Sequence, residues 1–282
     1  MLQTLNLSIG DISCAIEGHA LHGSFDIPPS YQPFIGGGPP DLRLVLHDGP
    51  AEISCSEKIF DSPPIWSLFR SREQFAVKIF ENLDGLQRTL VFPPDLASAM
   101  LYFNGAAGRF KDPFFGPTLE LLMINHLARQ QGVVLHSCGV AKDDNGTVFA
   151  GESGAGKSTM AGLWNRLDGM AVLSDDRTVV RKTGGEFRMY GTPWHGDAKF
   201  GLARDARLDR IFFIRHGDAN RVREMSWAEA VQTLLTCAFP PYWDAAGMEF
   251  TLEFFSEMTA VVPCYELFFT PYQGVVDLIS QV

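Results

Sequence analysis

The nine residues Gly151-Glu-Ser-Gly-Ala-Gly-Lys-Ser-Thr159 decide how the chain is read. They satisfy the pattern G-x-x-x-x-G-K-[ST] in full, and average residue usage gives that pattern only about a 1% chance in a chain of this length. Consecutive backbone N–H groups in such a loop wrap a polyphosphate. Gly151, Gly154 and Gly156 permit the backbone angles and close approach required, and the start of the next helix adds the positive end of its dipole. On this reading Gly151, Glu152, Ser153, Gly154, Ala155, Gly156, Lys157, Ser158 and Thr159 form a nucleotide-binding loop. Lys157 would reach the β- and γ-phosphates and Ser158 would ligate Mg²⁺, so ATP and Mg²⁺ are the expected cofactors. The competing reading is a glycine-rich turn with no ligand. Context favours the loop: the short apolar strand Thr147-Val-Phe-Ala150 precedes it, and a helical stretch from Thr159 to Leu167, closed by Gly169, comes after it.

Upstream, Val133 to Ala141 reads as a strand joined to Thr147–Ala150 through the hairpin turn Lys142-Asp-Asp-Asn-Gly146. A turn centred near residue 144 pairs position 137 near position 151 and sets His136 beside the start of the loop. Downstream, Met170-Ala-Val-Leu-Ser174 reads as a short buried strand ending at Asp175-Asp176. An adjacent parallel strand would carry that pair to the loop. A carboxylate there can hold Mg²⁺ or take a proton from an attacking hydroxyl, and two in succession suggest both tasks. Alone, Asp-Asp would read as a solvated turn. Arg177 suits a partner for these acids, for phosphate, or for a structural ion pair. Tyr190-Gly-Thr-Pro-Trp-His-Gly-Asp197 is dense in special residues. One reading is an active-site loop in which His195 or Asp197 faces metal or phosphate and Trp194 forms a wall. The other is a tight turn anchored by a buried tryptophan.

The 282 residues allow two modest domains. Residues 1–110 read as a β-rich module, with alternation in Asp41–His47, Phe75–Phe80 and Gln87–Phe92, suited to docking or substrate selection. Loop-like residues 104–116 separate it from a domain over 111–282. There a helix starts at Pro117, carries the stripe Leu119, Leu122, Met123 and Leu127, and stops by Gly132. Later come a strand ending at Ile214, the capping-box pattern Ser226-Trp-Ala-Glu229, a helix over Met248–Thr259 and a strand Cys264–Phe269. With 46% hydrophobic residues and 20% charged ones, the composition excludes a disordered chain. A net charge of −10 argues against nucleic acid or an anionic membrane as partner. No apolar run approaches the roughly 18 to 20 residues of a membrane helix, and the opening residues lack the pattern of a signal peptide. Cys14, Cys55, Cys138, Cys237 and Cys264 are scattered, as buried thiols of a reducing cytoplasm would be.

Leu135-His136, Gly151–Ser158 and Leu173-Ser-Asp-Asp-Arg177, taken together, resemble the catalytic domain of the HPr kinase/phosphorylase family over about residues 117 to 215. The resemblance implies an α/β fold, a P-loop domain of phosphoenolpyruvate-carboxykinase-like, HPr-kinase-like type behind the β-rich N-terminal module. It implies that Lys157 binds phosphates, Ser158 binds Mg²⁺, the Asp175-Asp176 pair supplies the metal contact and base, taken here as Asp175 and Asp176 respectively, and His136 sits against the transferred phosphate. The family's Glu-x-Arg-Gly element is not found after Asp176, where Pro193-Trp-His-Gly196 stands, so neither phosphorylase activity nor HPr as acceptor is carried over. The expected function is a P-loop phosphotransferase moving the γ-phosphate of ATP to a hydroxyl: a serine on a protein or peptide, free serine, or another small molecule. A non-enzymatic nucleotide sensor is the alternative, and phosphoenolpyruvate carboxykinase ranks last. A homo-oligomer is left open.

Overall fold

Apolar and polar residues alternate in Asp41–His47, Phe75–Phe80 and Gln87–Phe92, and in the computed structural model these stretches are strands. The structure describes residues 2–19, 27–51, 53, 57–80, 87–96, 98–103, 115–272 and 274–282. They fall into two compact units, Met1–His126 and Leu127–Val282. The boundary expected between residues 110 and 111 lies outside the described residues.

The first unit holds β1 (Leu2–Ile9), β2 (Ile12–His19), β3 (Leu42–Asp48), β4 (Glu57–Ser62), β5 (Trp66–Arg70), β6 (Phe75–Phe80), β7 (Gln87–Phe92) and β8 (Ala99–Phe103). They make one sheet in the order β1-β2-β3-β8-β7-β6-β5-β4. Among these described strands only the β2–β3 and β3–β8 pairs are parallel. Leu7, Ile16, Leu44, Leu68, Leu90 and Leu101 are fully buried in this unit, each adding about 1.5–3 kcal/mol of transfer free energy. Helix α1 (Pro117–Leu127) comes next, and its predicted stripe of Leu119, Leu122, Met123 and Leu127 is wholly buried.

The second unit contains β9 (Val133–Lys142), β10 (Asn145–Ala150), α2 (Lys157–Trp164), β11 (Met170–Ser174), β12 (Arg177–Thr183) and β13 (Glu186–Tyr190). It continues with β14 (Asp205–His216), β15 (Arg221–Glu224), α3 (Trp227–Thr236), α4 (Ala245–Val261), β16 (Cys264–Phe269) and α5 (Gly274–Ile279). The β9–β10 hairpin sets Lys142 opposite Asn145 and Ser137 opposite Ala150, one position from the expected register. On its other edge β10 pairs parallel with β14, which pairs parallel with β16. Both β11 and β12 pair antiparallel with β9, and Asp175-Asp176 is the break between them. The pairings β9–β10–β14–β13–β12 return to β9. Along β10 the side chains alternate between two cores. Val148 and Ala150 join Leu234 of α3 and Phe255 and Met258 of α4. Phe149 joins Met160 and Trp164 of α2 and Val275 and Ile279 of α5. The capping box at the start of α3 forms as its sequence predicts: Ser226 N–H donates to Glu229 Oε2 at 2.9 Å, and Glu229 N–H donates to Ser226 Oγ at 3.4 Å.

This architecture corrects the expected fold class. An α/β domain of phosphoenolpyruvate-carboxykinase-like, HPr-kinase-like type is not what the chain forms: among the described residues strand outweighs helix, 43% against 23%, in two large mixed sheets. The physical reason lies in β9. A single strand–loop–helix unit forces parallel pairing only with its immediate neighbour, and here one neighbour of β10 is its own hairpin partner. β11 runs in the direction of β10 but with β9 between them, so the adjacent parallel strand expected there is absent. Among the described residues no helix is long and apolar enough to cross a membrane.

Candidate functional site

At the end of β10 the chain leaves the sheet at Gly151, whose N–H donates to the His136 carbonyl at 3.4 Å. Two glycines of the loop are needed for distinct reasons. A Cβ on Gly151 would come within 2.9 Å of the Ala155 Cβ. Gly156 has φ +105, and a Cβ there would meet the Phe269 ring at 2.5 Å. Gly156 also caps α2 without any side-chain hydrogen bond, and the first turn of α2 carries no acid. The N–H groups at the head of that helix are left to an outside acceptor, the arrangement that binds anions. Glu152, Ser153, Gly154 and Thr159 are exposed, and Ala155, Gly156 and Ser158 are half-buried.

Lys157 is only 6% exposed. Its Nζ donates to the carbonyls of Gly151 (3.1 Å) and Glu152 (3.0 Å), so the ammonium lies at the beginning of the loop. Burial lowers the pKa of this lysine from its ordinary value, with Asp176 opposing the shift and Arg177 adding to it.

His136, one residue upstream of the β9–β10 pairing, reaches Asp176: Nε2 is 3.0 Å from Asp176 Oδ1. The other carboxylate oxygen takes a hydrogen bond from Arg177 Nη1. The Arg177 guanidinium lies 4.3 Å from the centre of the Phe239 ring, and His136 packs against the same ring with centroids 5.8 Å apart. Backbone bonds fix this group. Ser137 N–H donates to the Asp176 carbonyl at 3.0 Å, His136 N–H to the Cys237 carbonyl at 2.7 Å, and Phe239 N–H to the Val134 carbonyl at 3.0 Å. Residues 237–239 thus take the place beside β9 that β10 vacates where the loop peels away. Burial raises the Asp176 pKa, but the hydrogen bond from His136 and the charges of Arg177, His136 and Lys157 outweigh it and hold the carboxyl below its ordinary range.

The two acids expected to work together are separated. Asp175 is fully buried. Its carboxylate accepts from Gly196 N–H (3.0 Å), Ala198 N–H (2.9 Å) and Phe200 N–H (3.2 Å). Those bonds pin the segment 191–201 and leave no open face for the metal contact expected of Asp175. Within that segment Trp194 is buried, with no hydrogen-bond partner for Nε1 among the described residues. His195 and Asp197 are exposed, and the His195 ring bonds locally to the Gly196 carbonyl at 3.0 Å. The segment is therefore a turn anchored by Trp194 and Asp175.

The far side of the loop is held by residues that sequence reasoning passed over. His216 and Phe269 are register partners at the ends of β14 and β16. Their rings stack at 6.2 Å, Phe269 backs Gly156, and His216 Nε2 lies 2.7 Å from the Gly154 carbonyl. A cavity of about 300 Å³ opens beside residues Ala150–Ala155, closed by the end of β14 and by Thr233, Thr236 and Cys237. His216 and Cys237 approach the loop, and Phe239 approaches His136 and Arg177, from distant segments. Only the rigid Phe239-Pro-Pro turn after α3 carries a local signal.

The residues that could hold a nucleotide are the loop amides and Lys157. Among the described residues no group of three or more His, Cys, Asp and Glu side chains is placed to hold a metal. Ser158 is the oxygen donor a nucleotide-bound Mg²⁺ could draw on, the ion keeping phosphate and water as its other ligands. No family model matches the chain, and no curated protein matches it.

Proposed function

We propose that the chain is a phosphotransferase that moves the terminal phosphate of Mg²⁺-ATP to a hydroxyl acceptor. The observation that carries this reading is the convergence of a glycine loop, its buried Lys157 and the His136–Asp176 pair in one unit. The sequence resemblance to HPr kinase/phosphorylase, over about residues 117 to 215, supports the same chemistry.

Mg²⁺-ATP supplies the transferable phosphoryl group and part of the charge compensation. The chain supplies the rest by position. Loop N–H groups and the head of α2 bind the phosphates, and Lys157 moves from the loop carbonyls to phosphate oxygen. Asp176 takes the acceptor's hydroxyl proton on a carboxylate oxygen, while His136 and Arg177 fix the orientation of that carboxylate. Catalysis by such a base is worth about 10²–10⁴-fold.

The test is the fate of labelled γ-phosphate from Mg²⁺-ATP in fractionated extract, with Lys157→Ala and Asp176→Asn as comparisons. Lys157→Ala should lose nucleotide affinity. Asp176→Asn should bind nucleotide yet transfer about 10²–10⁴-fold more slowly, and equal transfer would falsify the assignment of the base. Because the Asp176 pKa is depressed, the carboxylate persists at neutral pH and is lost as pH falls through and below the ordinary carboxylate range near ~4. The transfer rate should decline on that acid side. Nucleotide bound tightly but never consumed would favour a sensor, a reading to which the double engagement of the Asp176 oxygens lends some weight.

A further inference from the structure

We infer that the cavity beside Ala150–Ala155 is the acceptor site, and that it takes a compact hydroxyl-bearing group. The inference rests on the nucleotide reading above. Its first support is the direction of Lys157. In a loop of this type the lysine serves the terminal phosphates, and its Nζ lies on the carbonyls of Gly151 and Glu152. Those two residues line the cavity, whereas Ser158 and Thr159 at the helix side do not. The transferable end of the nucleotide therefore faces the cavity, and the nucleoside end lies toward α2. The second support is a backbone link from the cavity wall to the base. Cys237 lines the cavity, and its carbonyl accepts from His136 N–H; the His136 side chain holds Asp176.

The lining selects the class of acceptor. Phe213, Ile214 and Cys237 are apolar. Thr233 and Thr236 have their hydroxyl protons bonded to the carbonyls of Glu229 and Thr233. Toward the cavity they offer methyl groups and lone pairs. Arg215 is committed to Glu266 at 2.9 Å, and Glu152 adds a negative charge at the exposed rim. A volume of about 300 Å³ suits a small molecule or a single side chain rather than a folded protein surface. The acceptor oxygen would form a bond to the terminal phosphorus as the bond to the bridging oxygen breaks. The nucleoside diphosphate leaves with that electron pair, and the acceptor proton passes to Asp176.

The experiment fills the cavity with Thr236→Trp, with Thr233→Phe as a second filling variant should the first fail to fold. ATP and inorganic tripolyphosphate affinities, basal ATP hydrolysis, and γ-label transfer into small-molecule, peptide and folded-protein fractions are measured. ATP affinity should stay within about twofold, while basal hydrolysis and transfer fall about tenfold or more, since water and acceptor share the excluded space. Label should appear on a small molecule or on a peptide, and the fraction that carries it names the source. A filled variant that loses ATP affinity but keeps tripolyphosphate affinity would assign the cavity to the nucleoside and overturn the inference. Unchanged transfer, or label on folded proteins alone, would overturn it as well. Failure of the nucleotide reading looks different: wild type would not bind ATP, or Lys157→Ala would bind it equally well.

Discussion

In the first sheet β2, β3 and β8 run parallel, and β3 ends at Asp48-Gly49-Pro50, where Gly49 sits at φ +123 in open space. In the second sheet β10, β14 and β16 run parallel and end at Ala150, His216 and Phe269. Both units therefore present the carboxyl ends of adjacent parallel strands, where ligands of α/β sheets commonly collect. They differ in the element that comes next. After β3 it is another strand, β4. After β10 a glycine loop runs directly into α2, and the neighbouring strands deliver His216 and Phe269 to brace it. Parallel pairing sets up the direction; a site needs a loop that exposes its amides and side chains that hold it open.

Asp175→Ala puts this contrast to its hardest trial. It strips three main-chain N–H groups of a buried acceptor, and the second unit should lose about 4 kcal/mol in denaturant unfolding. A loss below about 1 kcal/mol would show that the 191–201 segment is held by something else. Leu44→Ala, in the first sheet, should cost about 3 kcal/mol through its cavity while leaving the nucleotide affinity of the folded protein unchanged. If affinity falls with it, the two units do not divide stability from binding as drawn. The mildest change belongs to His216→Leu, which removes one donor from the Gly154 carbonyl. Nucleotide affinity should weaken about fivefold, and His216→Gln, which keeps an N–H at a similar reach, should restore most of it.

The loop and its hairpin were legible because their determinants are local: nine consecutive residues, and a turn whose register is set by its own length. The helix caps and stripes at Ser226 and Pro117 were legible for the same reason. The roles of Asp175 and Asp176 were not. In sequence they are equivalent neighbours, and the difference between them is a set of N–H groups 21 to 25 residues later that turn toward only one of them. The overall class was misjudged from one strand–loop–helix unit, because nothing local reports that β9 pairs with β11 and β12 as well as β10. Much of the first unit's sheet also went unread. β1, β2, β4, β5 and β8 owe their place to partners across the sheet as much as to their own alternation.

Strand β9 also offers a way to observe the protein at work. The amide protons of His136 and Ser137 are adjacent in the chain, yet one bonds to the Cys237 carbonyl and the other to that of Asp176. Each exchanges with solvent deuterium only when its own wall of the site detaches from the strand. Two neighbouring amides thus act as independent clocks, one timing the cavity side and the other the side that carries the base.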